Sequence, residues 1–199
     1  MYRQILIAED HALLCRSIRT ICAAEGIHNL EEVQTCKALL QVLKQKEYTH
    51  LILDITLADG NSLPLLPKIR KLYPTLKVLV YSSQPSRLYG EKLLSDFNTQ
   101  YISKAEQEVE TIQKLLAFLK NIAFPQSMSD NPGRMAFDEL TLRQMEVLQY
   151  LIKGWESVRI ASKLRIKAST VRVMKGQILE KTKAKNVVEL TKLANLHGL

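Results

Sequence analysis

The sequence predicts an α/β domain built on a five-stranded parallel sheet, followed by an all-helical domain of four helices. Three features carry that expectation. Short apolar runs alternate with stretches of helical spacing through the first 120 residues, which means a parallel sheet covered by helices on both faces. A segment with two prolines, a glycine and two serines then breaks the pattern over residues 121–137. Charge changes there too: residues 1–133 carry 15 Lys/Arg against 14 Asp/Glu, whereas residues 134–199 carry 13 against 6.

The strand candidates are "RQILIA" (3–8), "EEVQT" (31–35), "HLILD" (50–54), "LKVLVYS" (76–82) and "TQYIS" (99–103). "LILD" and "VLVY" are continuous apolar runs, as strands buried on both faces require. Between the strands, Leu13, Leu14, Ile18, Ile21 and Cys22 fall at helical spacing, as do Leu39, Leu40 and Leu43, and then Leu65, Leu66, Ile69 and Leu72. The boundaries are set at 1–120 for the first domain, 121–137 for the linker and 138–199 for the second domain. There, Thr141 and Gln144 form a capping box ahead of a helix that ends at Gly154. "ESVRIASKL" and "STVRVMKGQILEKT" supply the second and third helices, and Asn186 with Glu189 offers another capping box for "VVELTKLANL", the fourth.

Of the 199 residues, 46% are hydrophobic and 24% charged, the composition of a soluble globular protein. No apolar run is long enough to span a bilayer, and "MYRQILIAED" lacks the apolar centre of a signal peptide, so a cytoplasmic protein is expected. Cys15, Cys22 and Cys36 have neither the even number of a disulfide framework nor the spacing of a zinc site. His11, His28, His50 and His197 are scattered, and His11 is read as a helix N-terminal residue. The net charge of +8 lies almost wholly in the last third, which points to a neutral module followed by one that meets a polyanion.

In an open α/β sheet, chemistry collects beyond the carboxyl ends of the strands where strand order reverses. Strand one runs into Glu9 and Asp10, and strand three into Asp54. In the order 2-1-3-4-5 these strands are neighbours, so three carboxylates converge. Two unit charges ~4 Å apart repel by about 4 kcal/mol near a protein surface, so the cluster implies a cation. Hard oxygen ligands with room for water suit Mg²⁺. Strand four ends in Ser82, a hydroxyl able to bond a phosphoryl oxygen, and strand five leads to Lys104, a point cation. An acid that accepts phosphate, a metal, a hydroxyl and a lysine are the parts that phosphoryl transfer needs.

"AED" with "HALLCRSI", "LILDITLADGNSL", "VLVYSS" and "YISK" resemble the flavodoxin-like receiver domain of two-component response regulators over residues 1–120. The segment from "LTLRQMEVLQYLIKG" to "EKTKAKN" resembles the LuxR-type helix-turn-helix of the NarL/FixJ group. The resemblance implies that Asp54 is the phosphoacceptor, and that Glu9, Asp10, Asp54 and the backbone carbonyl of Thr56 bind Mg²⁺. It makes Ser82 and Tyr101 the switch pair, with Tyr101 turning inward on activation, and Lys104 the phosphate-pairing lysine. Relatives often have proline where Ala58 stands and glycine where Ser62 stands, so the loop after Asp54 is expected to be less fixed. Phe97 and Gln100 replace glycines, which bears on the face built by the helix before the fifth strand.

A helix-turn-helix places its second helix in the major groove. Ile160, Ala161, Leu164, Val171, Ile178 and Leu179 are the apolar positions expected to lock the two helices together. Arg172, Val173 and Gly176 are expected to face outward, with Lys175 close by. Arginine can read guanine bidentately, and glycine lets a helix approach the bases. Lys167, Ser169, Thr170, Lys183 and Lys185 are cast as phosphate contacts, and Lys181 as part of a solvated face. Relatives usually have glycine at Lys183, so that turn is expected to be built differently here.

The resulting expectation is a phosphorylation-controlled DNA-binding transcriptional regulator. Its implied partners are a sensor histidine kinase, promoter DNA, a second copy on activation and RNA polymerase. A dimer would read a repeat spaced by about one helical turn. Two other readings compete: a DNA-binding regulator whose receiver works without phosphate, and an enzyme using Asp54 for turnover. The intact acid set with Lys104 argues against the first, and the basic domain would go unexplained by the second.

Overall fold

The computed structural model describes residues 3–83, 89, 93–94, 97–124, 137 and 139–196. The chain divides into two compact units, Met1–Met128 and Ser129–Leu199. Most of the expected linker, like most of the expected helix before the fifth strand and His197, lies outside the described residues.

The first unit runs β1 (Ile5–Ala8), α1 (Ala12–Ala24), β2 (Leu30–Val33), α2 (Cys36–Gln45), β3 (His50–Leu53), β4 (Thr56–Leu57) and β5 (Gly60–Asn61). A 3-10 turn at Leu63–Leu65 leads into α3 (Leu66–Leu72), followed by β6 (Lys77–Ser82), β7 (Gln100–Ser103) and α4 (Glu108–Leu119). Five strands form a parallel sheet in the order β2-β1-β3-β6-β7, which is 2-1-3-4-5 when counted within the sheet. The small antiparallel β4-β5 pair was not legible in the sequence, because two residues per strand leave no period to detect.

Period-two alternation explains the two-sided core. Ile5, Ile7, Ile52, Leu79 and Ile102 pack with Cys15, Ile18 and Cys22 of α1 and with Leu115, Phe118 and Leu119 of α4. The intervening Leu6, Leu51, Leu53, Val78 and Val80 are equally buried, as are Leu39 and Leu43 of α2 and Leu66 and Ile69 of α3. Cys15 and Cys22 are therefore core residues, and burial pushes both thiols up to about 11.

At the amino edge of the sheet, His50 is held as a buried neutral ring. Its Nε2 donates to Asn121 Oδ1 at 3.0 Å, its Nδ1 lies 2.9 Å from the Thr49 hydroxyl, and Phe118 meets it edge-on at 5.1 Å. Burial pulls its pKa below the ordinary histidine value, and the Arg3 and Lys77 charges pull in the same direction against the Asn121 bond.

The second unit consists of α5 (Leu142–Ile152), α6 (Ser157–Leu164), α7 (Ala168–Lys181) and α8 (Val187–Leu196). Its core is Phe137, Leu140, Met145, Val147, Leu148, Leu151, Ile160, Ala161, Val171, Ile178, Leu190 and Ala194. The Thr141–Gln144 capping box is present in both directions. At α8 only half of that arrangement forms: Asn186 Oδ1 accepts from Glu189 N at 2.9 Å, while Glu189 Oε2 reaches past Asn186 to Lys185 N at 2.8 Å.

Candidate functional site

Three groups at the carboxyl edge are fixed by hydrogen bonds that carry the sheet ladder one residue past their strands. Glu9 N donates to Val33 O at 3.0 Å, Asp54 N to Ala8 O at 2.8 Å, and Lys104 N to Ser82 O at 2.8 Å. Because β1 pairs with β3 and β6 with β7, Glu9, Asp54, Ser82 and Lys104 come to one edge. Glu9, Asp54 and Ser82 are buried, and Asp10 is half-buried.

Lys104 Nζ binds Asp54 Oδ2 at 2.7 Å and Glu9 Oε2 at 2.6 Å, with its side chain 9% exposed. It also lies 5.6 Å from the centre of the Tyr81 ring. Burial opposes the lysine charge, yet the bonds to Asp54 and Glu9 outweigh it and hold Lys104 above the ordinary lysine range. One cation thus offsets two of the three crowded carboxylates.

His11 joins the cluster, a role the sequence did not reveal. It stands at the N-cap position of α1, as expected for a helix N-terminal residue, without a side-chain cap bond; its Nδ1 lies 2.9 Å from Glu9 Oε1 and 3.0 Å from Asp10 Oδ1. The Asp10 approach is close without hydrogen-bond alignment, so Asp10 Oδ1 has no hydrogen-bond partner among the described residues, and neither has Asp54 Oδ1. The bond to Glu9, then the charges of Asp10 and Glu9, raise the His11 pKa. Ligand atoms of Glu9, Asp10, His11 and Asp54 all lie within 4.8 Å of one another. Two buried carboxylate oxygens lacking partners in such a cluster suit a hard divalent cation. Thr56 opens β4 two residues beyond Asp54.

The loop after Asp54, expected to be less fixed without that proline and glycine, makes several hydrogen bonds of its own. Ser62 is fully buried, and its hydroxyl donates to the Asp54 carbonyl at 2.6 Å. Asp59 accepts from Cys36 N at 2.6 Å and Lys37 N at 3.1 Å, at the start of α2, and Ala58 N donates to Gln34 O at 3.0 Å. Side-chain bonds to neighbouring backbone replace ring stiffness.

Tyr101 is already inward: it is 3% exposed, and its hydroxyl donates to the Ser82 carbonyl at 3.3 Å. Burial and the nearby Asp54 and Glu106 charges raise its phenol pKa. Gln100 pairs with Leu79 at the start of β7, and Phe97 is half-buried.

In the second unit, α6 and α7 form the helix-turn-helix. Ile160, Ala161, Val171 and Ile178 are buried, while Leu164 and Leu179 are half-buried. Lys167 starts α7 with no side-chain cap. Lys167, Ser169, Arg172, Val173, Gly176, Lys183 and Lys185 are exposed, whereas Thr170 and Lys175 are half-buried. A side chain at Gly176 would meet nothing within 4 Å, so no internal contact requires glycine there.

Two expectations here are corrected. Lys181 is not simply solvated: its Nζ donates to Glu139 O at 2.9 Å and Gln144 Oε1 at 3.0 Å, tying the end of α7 to the start of α5. The turn after α7 keeps the geometry that favours glycine, with Lys183 at φ 56°. Lys183 N bonds Glu180 O at 3.1 Å and Ala184 N bonds Leu179 O at 3.0 Å, the pair of bonds that ends many helices. Burial of Thr182 and Ala184 on either side holds the strained residue in place.

An acid cluster clamped by lysine at the carboxyl edge of this sheet, joined to a basic helix-turn-helix, defines a signal-receiving regulator with a DNA-binding domain. Residues 5–116 match the response regulator receiver domain, and residues 138–194 match the bacterial regulatory proteins of the LuxR family. The chain belongs to the response regulators, in the group that pairs a receiver with a LuxR-type domain, and these are transcription regulators rather than enzymes. It is 26% identical to the transcription regulator BvgA of Bordetella pertussis across 100% of both chains. It is 23% identical to the transcriptional activator EvgA of Escherichia coli, covering 93% of this chain and 94% of that one. Among solved structures, RcsB of Salmonella enterica, bound to a promoter in the presence of a phosphomimetic, superposes with a TM-score of 0.69 at 21% identity, covering 98% and 99% of the chains. No helix among the described residues is long and apolar enough to cross a membrane.

Proposed function

We propose that Asp54 is the phosphoacceptor through which a sensor histidine kinase, or a small phosphodonor, controls this regulator's binding to promoter DNA. The carboxylate attacks phosphorus, the bond from phosphorus to the donor nitrogen or oxygen breaks, and the donor leaves with that electron pair and takes up a proton. An acyl phosphate remains on Asp54. The observation that carries the reading is the bridge from Lys104 to Asp54 Oδ2 and Glu9 Oε2 beside unpartnered oxygens of Asp54 and Asp10. Glu9, Asp10, Asp54 and the Thr56 carbonyl would hold Mg²⁺, which supplies charge neutralisation for the transferring group. Lys104 then moves from its carboxylate partners to the phosphoryl oxygens, and the Ser82 hydroxyl takes another oxygen.

Tyr101 starts inward, so its part as a switch is to report the Ser82 backbone through the 3.3 Å bond rather than to travel from solvent. The domains divide at 1–120 and 138–199 about the 121–137 linker. On the DNA side, Arg172, Val173, Lys175 and Gly176 face base edges, and Lys167, Ser169, Thr170, Lys183 and Lys185 contact phosphates. A homodimer on a repeated site, in the cytoplasm, with RNA polymerase as the further partner, completes the reading.

The test supplies Mg²⁺ and a small phosphodonor, then measures intact mass and oligomeric state for wild type and Asp54→Ala. A phosphoryl mass gain confined to wild type, accompanied by association, is expected. An unmodified wild type that still binds DNA would favour the phosphate-independent receiver instead.

A further inference from the structure

Asp54 is held at its carboxylate by Lys104 and at its backbone N–H by Ala8 O. A third hold comes from eight residues away. Ser62 uses every polar group it has: its hydroxyl donates to the Asp54 carbonyl at 2.6 Å, its N–H donates to Ile55 O at 2.8 Å, and its own carbonyl accepts from Leu65 N at 2.9 Å. Ser62 N–H and hydroxyl thus grip the two successive carbonyls that follow the Asp54 side chain. The hydroxyl is fully buried, where an unbonded donor is costly, so the bond is not exchanged for water.

We propose that Ser62 is a positioning residue for phosphoryl transfer, fixing the Asp54–Ile55 peptide and with it the direction of the Asp54 carboxylate and of the Thr56 carbonyl. This rests on Asp54 being the phosphoacceptor. The β4-β5 pair joins Thr56 to Asn61, and Leu63 N donates to Asn61 Oδ1 at 2.7 Å, so the Ser62 grip closes a small rigid ring around the loop. A glycine at this position could supply the N–H bond but not the hydroxyl bond. The chain therefore replaces the stiffness of a proline loop with a side-chain tie aimed at the reacting residue itself.

Full-length wild type, Ser62→Ala and Ser62→Gly are compared at saturating Mg²⁺ with acetyl phosphate as donor, well below each variant's unfolding temperature. Misplacement of a reacting group by a fraction of an ångström lowers rate steeply, so both variants are expected to phosphorylate about tenfold more slowly. Calorimetric titration with Mg²⁺ alone is expected to show about threefold weaker binding in the same samples. Rates within about twofold of wild type, or a fall no larger than the loss of folded protein, would overturn the inference while leaving the Asp54 reading intact. A wild type that never gains a phosphoryl group would overturn both.

Discussion

Lys104→Met tests whether the lysine is what keeps the acid crevice folded before any cation arrives. Its Nζ sits 2.7 Å from Asp54 Oδ2 and 2.6 Å from Glu9 Oε2, in a site where the lysine is 9% exposed and the acids 5% or less. At an effective dielectric constant near 20, each such contact corresponds to about 6 kcal/mol of attraction. Desolvation of the three groups cancels much of that, at several kcal/mol per ion, so the gross sum overstates the net effect. Methionine keeps the stem and removes the charge, leaving the buried Asp54 carboxylate without its cation and Glu9 with only its bonds to His11, beside Asp10. Breaking a buried pair in this way costs about 3 to 5 kcal/mol.

The assay is urea unfolding of the full chain by far-ultraviolet circular dichroism, with and without Mg²⁺. The single tryptophan, Trp155, lies in the second unit, so its fluorescence separates that unit's transition from the receiver's. We expect the receiver transition of Lys104→Met to lose about 3 kcal/mol or more without metal. Mg²⁺ at a hundred times its dissociation constant should restore about 2.7 kcal/mol. A variant within about 1 kcal/mol of wild type would show that the crevice bears its carboxylates without the lysine.

Lys183→Gly relieves a left-handed conformation at φ 56° and should stabilise the second unit by about 1 kcal/mol. The same change should weaken DNA binding across all sequences and reduce the salt slope by about one, as thermal unfolding and anisotropy titrations at several salt concentrations would show. A depressed His50 pKa means that the unfolded chain takes up this proton first as pH falls through about 6.5. The stability from His50 is therefore present above that pH and lost below it, down to the folded-state pKa. The raised pKa of His11 gives the opposite slope. Subtracting His50→Gln from wild type in urea unfolding at pH 7.5 and 5.5 isolates the effect, and a smaller difference at pH 5.5 is expected.

The strand ends were readable because a buried run that stops at an acid leaves few uses for that acid. Glu9, Asp10, Asp54, Ser82 and Lys104 come to one edge because parallel strands all carry their carboxyl ends there. What the sequence hid depends on single contacts between distant residues. No periodicity announces that Ser62 bonds the Asp54 carbonyl, that Asp59 caps α2, or that Lys181 crosses to Gln144. The turn at Lys183 was hidden for a related reason. Local conformational preference argued for a different turn, but the packing of Thr182 and Ala184 on either side overrides about 1 kcal/mol of backbone strain. The place of His11 at the start of α1 was legible, whereas its reach back to Glu9 follows from the fold of the β1-α1 turn.

On the proposed function, the chemical state of Asp54 sets DNA affinity. Duplexes selected from a random library by the phosphodonor-treated chain provide the ligand, and anisotropy measures affinity for wild type and Asp54→Ala before and after treatment with Mg²⁺ and acetyl phosphate. Treatment is expected to tighten wild-type binding about tenfold or more and to leave Asp54→Ala unchanged. Equal affinity before and after treatment, or the same tightening in Asp54→Ala, would rule out control through Asp54.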